Sequence, residues 1–559
     1  MLLQVHKQDY SKYSLLEKDK EFIFNEPLKI KYLIHNDIVE YKNENITLVK
    51  RNKLPLIIGE LDLNSKYKFK PNKKGIPSYL FKPLNDCYPA FMVCTNLKRK
   101  HNNNLFVTIE FNKWGEGDKF PRGNIVRVLG EIGDFDAIQN AVLYQKNLNN
   151  KKMKFNQKKI FQNFRELKKK KTSTDRFQLE PKNKIISIDP PGCRDIDDAL
   201  SYYVENSILH LQIHISDVYY LLKNLKLLDI ENVTSIYLKN CVIPMLPNLI
   251  SNNLGSLIEK EHRYMLSLFI KYDIDNNNVT DYHFKKTYGR ISKNYDYDNY
   301  PKSINKHFGN VQNIYNIITQ RYIHVSDSHK FIEALMIIYN TAFCKKIIQK
   351  EDLQIYRIQK KKEREKVSEN LDKDLQKFVN IIKSNSAQYS TEKLGHETLN
   401  INDYSHVTSP LRRMVDLMNQ EIYYTKNSSL LKKLPIEKIN NFNKGLKKAY
   451  RDIDKLYLSH LVYNNGYNKT KCYIYDFNIE KNKMYLYFPD KKLSIRNKIV
   501  SYKIKDKFTV YSENNNLIIV NNENQDKKIL PINQLIDVEV NGKPNIYNVD
   551  RSIYIKYLI

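Results

Sequence analysis

The sequence predicts a mixed α/β body flanked by small all-β units, and three observations carry that prediction. Residues 56–147 and 471–559 consist of short runs of alternating apolar and polar residues broken by turn formers, the pattern of half-buried strands. Residues 185–470 mix such strands with longer segments whose apolar residues recur every three to four positions, the spacing of helices with one buried face. The chain of 559 residues, 41% of them apolar, is too long for one core and apolar enough for several.

Taken in order, residues 1–55 show short alternations such as Leu33 to Val39 and are expected to form a partial or truncated barrel. In 56–147, Ala90–Cys94, Phe106–Glu110 and Asn124–Leu129 are candidate strands, and so many strands in so short a span suit a barrel of the OB type. Residues 148–184 are densely basic, with Lys168 to Lys171 in succession, and read as a linker or exposed helix. In 185–470, Ile185–Ile188, Leu209–Ile215 and Tyr264–Ile270 read as strands. Residues 327–350 and 435–464 read as helices, and Ser409 with Pro410 reads as the cap and first residue of another. Residues 471–559 return to strands, notably Met484–Phe488, Asn516–Val520 and Leu535–Val540, and suggest a second small barrel.

Lys and Arg number 92 against 62 Asp and Glu, a formal net charge of +30, which favours phosphate-rich partners; AT-rich coding accounts for part of it. The six cysteines form no C-x-x-C pair, which excludes the common zinc and disulfide patterns. The first residues lack the apolar run of a signal peptide, and no stretch reaches the ~20 apolar residues of a membrane span. An intracellular, cytoplasmic protein with no membrane partner is expected.

The densest chemistry lies in Asp189-Pro-Pro-Gly-Cys-Arg-Asp-Ile-Asp-Asp-Ala199, where Asp189, Asp195, Asp197 and Asp198 fall within ten positions. Pro190 and Pro191 oppose helix and Gly192 permits a sharp turn, so Asp189 ends a strand and the other acids return on a loop. In an extended loop Asp195 and Asp197 share a side and Asp198 faces away, so the loop must bend to gather all four. An all-oxygen set of acids suits Mg²⁺, and two such ions can assist cleavage of a phosphodiester. An acidic surface turn is the bland alternative, and residue chemistry leaves both open. A calcium loop is excluded, because Ala199 stands at the fifth position from Asp195 and no Glu closes the loop.

The segment from Ile188 to Leu200 resembles the signature of the ribonuclease II (RNB) family of exoribonucleases. Further resemblances follow in order: Leu211-Gln-Ile-His-Ile-Ser-Asp-Val218, Thr234-Ser-Ile-Tyr-Leu238, Pro244-Met-Leu-Pro247, the Phe331-to-Asn340 helix, and Tyr404-Ser-His-Val-Thr-Ser-Pro-Leu-Arg-Arg413 with Asp416. Upstream, Trp114, Pro121-Arg-Gly123 and Leu129 to Asp134 resemble the second cold-shock barrel of the eukaryotic exosome-type members, and no PIN-type domain precedes it. The resemblance covers roughly residues 30–540. It implies an α/β catalytic domain with a narrow channel, a cold-shock-like OB barrel on its N-terminal side and an RNA-binding OB barrel on its C-terminal side.

The activity implied is processive, Mg²⁺-dependent 3′→5′ hydrolysis of single-stranded RNA to nucleoside 5′-monophosphates, by a monomer, with two Mg²⁺ ions, Mn²⁺ as a candidate substitute, and an RNA-decay complex as a candidate partner. A non-catalytic RNA-binding regulator is the alternative. By resemblance, Asp189, Asp195, Asp197 and Asp198 bind the metal, with Asp197 indispensable. Arg412 supports the scissile phosphate; Tyr237, Glu333, Ser409 and Arg413 contact RNA. Each has a quieter reading: Tyr237 as core, Glu333 in a helix ion pair, Arg412 paired with Asp416. His214, His406 and Trp114 are expected to be structural. Ala334, Met414 and Met418 to Gln420 depart from the family pattern.

Overall fold

A computed structural model shows how these segments fold. It describes the chain except residues 19, 26–31, 44, 67–68, 116–117, 152, 154, 170–175, 181–183, 348–352, 354, 362–371, 384, 467–468, 501–506, 515, 550–551 and 558–559. The chain divides into two units: Met1–Asn149 with Ser368–Val379 and Lys444–Ile559, and Asn150–Val367 with Asn380–Asn443.

In the first unit, the 1–55 region folds as a five-stranded antiparallel sheet. Five strands between Ile57 and Glu131 close into the expected barrel, followed by the helix Phe135–Gln145. Sheet and barrel share one core, in which Leu3, Leu15, Leu61, Phe81 and Phe91 are fully buried. Trp114 packs at the edge of that core and donates its indole N–H to the Asp118 carbonyl at 3.1 Å, the structural role expected of it. Residues from Lys469 onward form a five-stranded and a three-stranded sheet around Cys472, Met484, Leu486 and Phe488.

The second unit is built on a six-stranded sheet: five longer strands, β1 (Ile185–Asp189), β2 (Asp198–Glu205), β3 (Ile208–Ser216), β4 (His262–Asp273) and β5 (Asn278–Asp296), and a short edge strand, Phe177–Gln178, which pairs in parallel with β5. β1 pairs with β2, β2 with β3, β3 with β4 and β4 with β5, and the far half of the long β5 pairs in parallel with β1, so the run of pairings returns to its start. Alternation along the strands sends Leu209, Leu211, Ile213 and Ile215 of β3 and Leu266, Leu268 and Ile270 of β4 into the main core. Helices α1 (Val218–Leu225), α2 (Ser328–Lys346) and α3 (Met414–Thr425) contribute buried residues to that core. Asp327 caps α2 through the Lys330 N–H. The opposite strand face carries a hydrogen-bonded chain in which His214 lies between Ser201 and Ser267 at 2.9 and 2.7 Å. Burial lowers the His214 pKa to about 3, so this histidine is a neutral structural element, as expected.

Three expectations need correction. The basic 148–184 stretch holds a helix, Gln157–Lys169, as one of its two readings expects, but not an exposed one, because its Ile160, Phe164 and Leu167 are buried in the main core. Most of Lys168 to Lys171 lies outside the described residues. The catalytic body does not run to residue 470: the helix Ile436–Asn465 is shared, and its residues from Lys444 belong to the first unit. The helix expected to open at Ser409 starts at Met414. Among the described residues no helix is long and apolar enough to cross a membrane.

Candidate active site

Gly192 takes φ +77°, and the Cys193 N–H bonds the Pro190 carbonyl at 3.1 Å. This is a turn with a left-handed third residue, which glycine adopts without strain. It carries the chain from Asp189, the last residue of β1, into the loop that leads to β2. That loop is pinned by Ser256, whose Oγ accepts from the Ile196 N–H at 3.1 Å and donates to the Arg194 carbonyl at 2.7 Å. Asp198 begins β2 and is near enough to Asp189 and Asp197 for both to raise its pKa.

Asp197 is the centre of the arrangement. It is 3% exposed; one oxygen accepts from the Leu411 N–H at 2.8 Å and the other from Arg412 Nε at 3.1 Å. Arg412 is held again through Nη2 to Ser409 Oγ at 2.8 Å, and its backbone carbonyl accepts from the Thr234 hydroxyl and the Ser235 N–H. Its side chain keeps 40% of its surface exposed, enough for the free edge of the guanidinium to meet an anion. The residues 409–413 form a turn ahead of α3, and Arg412 is aimed by Asp197 rather than placed in a helix's first turn.

Burial raises three of the acids, and neighbouring carboxylates add to it. Burial, with Asp195 adding to it, lifts Asp189 to about 6. Burial lifts Asp197 to about 7 against the opposing pull of Arg412 and the Leu411 N–H. Asp198 is raised well above its ordinary value by burial and by Asp189 and Asp197. Burial, Asp189 and Asp195 push the Cys193 thiol up to about 12. The Asp189 Oδ2 atom is buried without a hydrogen-bond partner. Among the described residues no three such side chains already have the spacing of a metal site. Carboxylates without a counter-ion repel, and the donor set nevertheless fits a hard divalent cation: all ligands are oxygens, three acids are held back from ionising, and one buried oxygen is unsatisfied. Asp189, Asp195, Asp197 and Asp198 are the residues that would hold it.

The other expected residues separate. Tyr237 is 44% exposed and donates its hydroxyl to Asp195 at 3.1 Å, so it stands at the site and is not core. Ser409 and Arg413, expected as RNA contacts, are turned inward: the Ser409 N–H and Arg413 Nη2 both meet Asp416, at 2.8 and 2.7 Å, and Arg413 also touches the half-buried His406. They position the turn. Arg413, not Arg412, is the partner of Asp416. Glu333 lies on α2 and pairs with Lys330 at 2.6 Å, the quieter reading of that residue. Sequence reasoning passed over the Leu411 N–H and Tyr297. The pKa of Tyr297 is raised to about 12 by burial and by Asp198 and Asp189, and its ring stacks on His329 at 3.8 Å. A backbone donor leaves no residue signature, and Tyr297 lies in a chain with 41 tyrosines.

Comparison with known proteins follows the same outline. The RNB domain profile matches residues 176–316 and 309–427, and the profile of the Dis3-like cold-shock domain 2 matches residues 78–147. The chain thus carries a region, residues 176–427, that matches the RNB domain, preceded by one that matches a Dis3-like cold-shock domain. Among RNB relatives, DIS3-like exonuclease 2 of Schizosaccharomyces pombe is 30% identical over 198 residues, which is 34% of this chain and 20% of that protein. Human exosome complex exonuclease RRP44 is 28% identical over 38% of this chain and 22% of its own length. Ribonuclease R of Thermotoga maritima is 32% identical over 31% and 25%. The matched stretches thus span only a fifth to a quarter of these relatives. Among solved RNB structures, the apo form of Mycoplasma genitalium RNase R superposes over the full length of both chains with a TM-score of 0.69 at 16% identity. Yeast Ssd1, a pseudonuclease, gives 0.55 at 13% identity over 97% of this chain and 81% of its own. Both share the fold.

Proposed function

We propose that the protein is a divalent-metal-dependent 3′→5′ exoribonuclease that hydrolyses single-stranded RNA processively to nucleoside 5′-monophosphates. The observation that carries this reading is the clamp on Asp197 by Arg412 and the Leu411 N–H, set among acids that need a cation. When bound, Mg²⁺ supplies the charge that offsets a phosphodiester's developing negative charge. The chain's own groups do the rest. Arg412 turns its exposed edge to the scissile phosphate, Asp197 fixes that arginine, and Tyr237 offers a ring for a terminal base. Relatives named for the exosome and for RNase R support RNA as substrate and an RNA-decay assembly as partner.

The test is to incubate the wild type and Asp197→Asn with 5′-labelled single-stranded RNA and Mg²⁺. Stepwise shortening from the 3′ end by the wild type, falling by roughly two orders of magnitude or more in the variant, is expected. An inactive wild type, or an equally active variant, removes the reading. The likeness to a pseudonuclease favours a second one, an RNA-binding regulator without catalysis. RNA binding with no cleavage in Mg²⁺ or Mn²⁺ distinguishes it.

A further inference from the structure

The polar face of the ring of strands continues past His214 to the β2–β3 hairpin and changes character there. Tyr203 lies flat on His210, its cross-strand partner, with ring centroids 4.4 Å apart and 6° between planes. Two strands on, Phe269 lies flat on its own partner His283 at 5.6 Å and 2°. Phe177, 46% exposed, stands edge-on to Phe269, and Lys285 sits over both rings at 4.7 and 5.3 Å. Lys271, opposite His210, is exposed between the two pairs. Neither histidine–aromatic pair takes part in the site above. Tyr203 is five residues along β2 from Asp198, roughly 17 Å at strand rise, so this patch is at the other end of the sheet from the acids.

We propose that this patch is a second contact for single-stranded RNA, separate from the acid site and resting on the reading of the protein as an RNA enzyme. Tyr203 and Phe177, 37% and 46% exposed, offer ring surface to any base, because every base has a π-face. Lys271 and Lys285 supply phosphate contacts; of the carboxylates on this face, Asp281 stands opposite Lys271 and meets His283 at 2.8 Å, and Glu205 lies beside His210. A protein partner is the other occupant such a surface admits, and the experiment separates the two.

In an Asp197→Asn background, which prevents degradation, binding of a fluorescent 30-mer RNA is measured against salt for the parent, Tyr203→Ala/Phe177→Ala, and Lys271→Gln/Lys285→Gln. The aromatic pair is expected to lose at least tenfold in affinity. The lysine pair is expected to flatten the salt slope by about 1.4, two single-strand phosphate contacts at about 0.7 each. Tyr203→Phe, which keeps the ring, should bind like the parent and guards against misfolding as the cause. Photocross-linking of thiouridine-containing RNA should map to peptides holding Tyr203 or Phe177. Parent-like binding and slope in both double variants, or cross-links found only elsewhere, overturns the inference in favour of a protein-facing or solvated patch. Cleavage by the otherwise wild-type chain is scored separately, so failure of the nuclease reading is not mistaken for failure of this one.

Discussion

At Asp197 both carboxylate oxygens are occupied by groups from residues 411 and 412, and Arg412 is held at Nε and Nη2 with an edge to spare. A lysine cannot reproduce that fork. Arg412→Lys should therefore lower kcat on RNA by about 10²-fold or more with a smaller change in KM, as single-turnover and steady-state rates would show. The acids also make a pH prediction. Asp189 and Asp197 sit at about 6 and 7 against an ordinary 3.8, and Asp198 is raised well above it. In the folded protein they keep their protons where the unfolded chain has lost them. Their contribution is fully present below about pH 4 and is lost as pH rises through 6 to 7. With EDTA, stability should fall across that window by an amount on the order of a few kcal/mol, read as a falling Tm, less so in Asp197→Asn. Added Mg²⁺ should restore it increasingly towards pH 8. A Tm that climbs with pH in EDTA contradicts the arrangement.

Among elements, the turn at Gly192 is open: a methyl group there would meet nothing within 4 Å. Gly192→Ala thus adds only backbone strain, about 1 kcal/mol or somewhat more. It should cost little Tm yet reduce cleavage, because the strain falls between Asp189 and Asp195. Equal losses in both would mean that the turn serves stability alone. This turn was legible because Pro-Pro-Gly dictates it locally. Strands such as β3 were legible for the same reason, since alternation reports burial directly. The start of α3 was not. Ser409-Pro410 is a sound cap and first residue by local rules. Its N–H goes to Asp416 and its hydroxyl to Arg412 instead, and these tertiary partners delay the helix to Met414. The 148–184 stretch misled for a related reason: its lysines dominate the composition, while three apolar residues at helical spacing decide where it packs.

For the molecule as a whole, the charge of +30 is the property most open to measurement. RNA affinity of Asp197→Asn should fall with salt along a slope steeper than about −3, which corresponds to more than four phosphates at about −0.7 each. A shallow slope would mean that most of the positive charge faces no RNA. The order of strand-rich and mixed regions was readable from the chain, since the two differ in period. The discontinuous first unit was not, because nothing local marks residue 444, inside an unbroken helix, as a boundary.

The clamp on Asp197 bridges 214 and 215 positions of sequence. During synthesis the acids leave the ribosome long before Leu411 and Arg412 are made. A nascent or prematurely terminated chain ending before those residues therefore carries the acidic motif without its guanidinium and amide anchors. On the proposed reading, the site is therefore completed only late in translation.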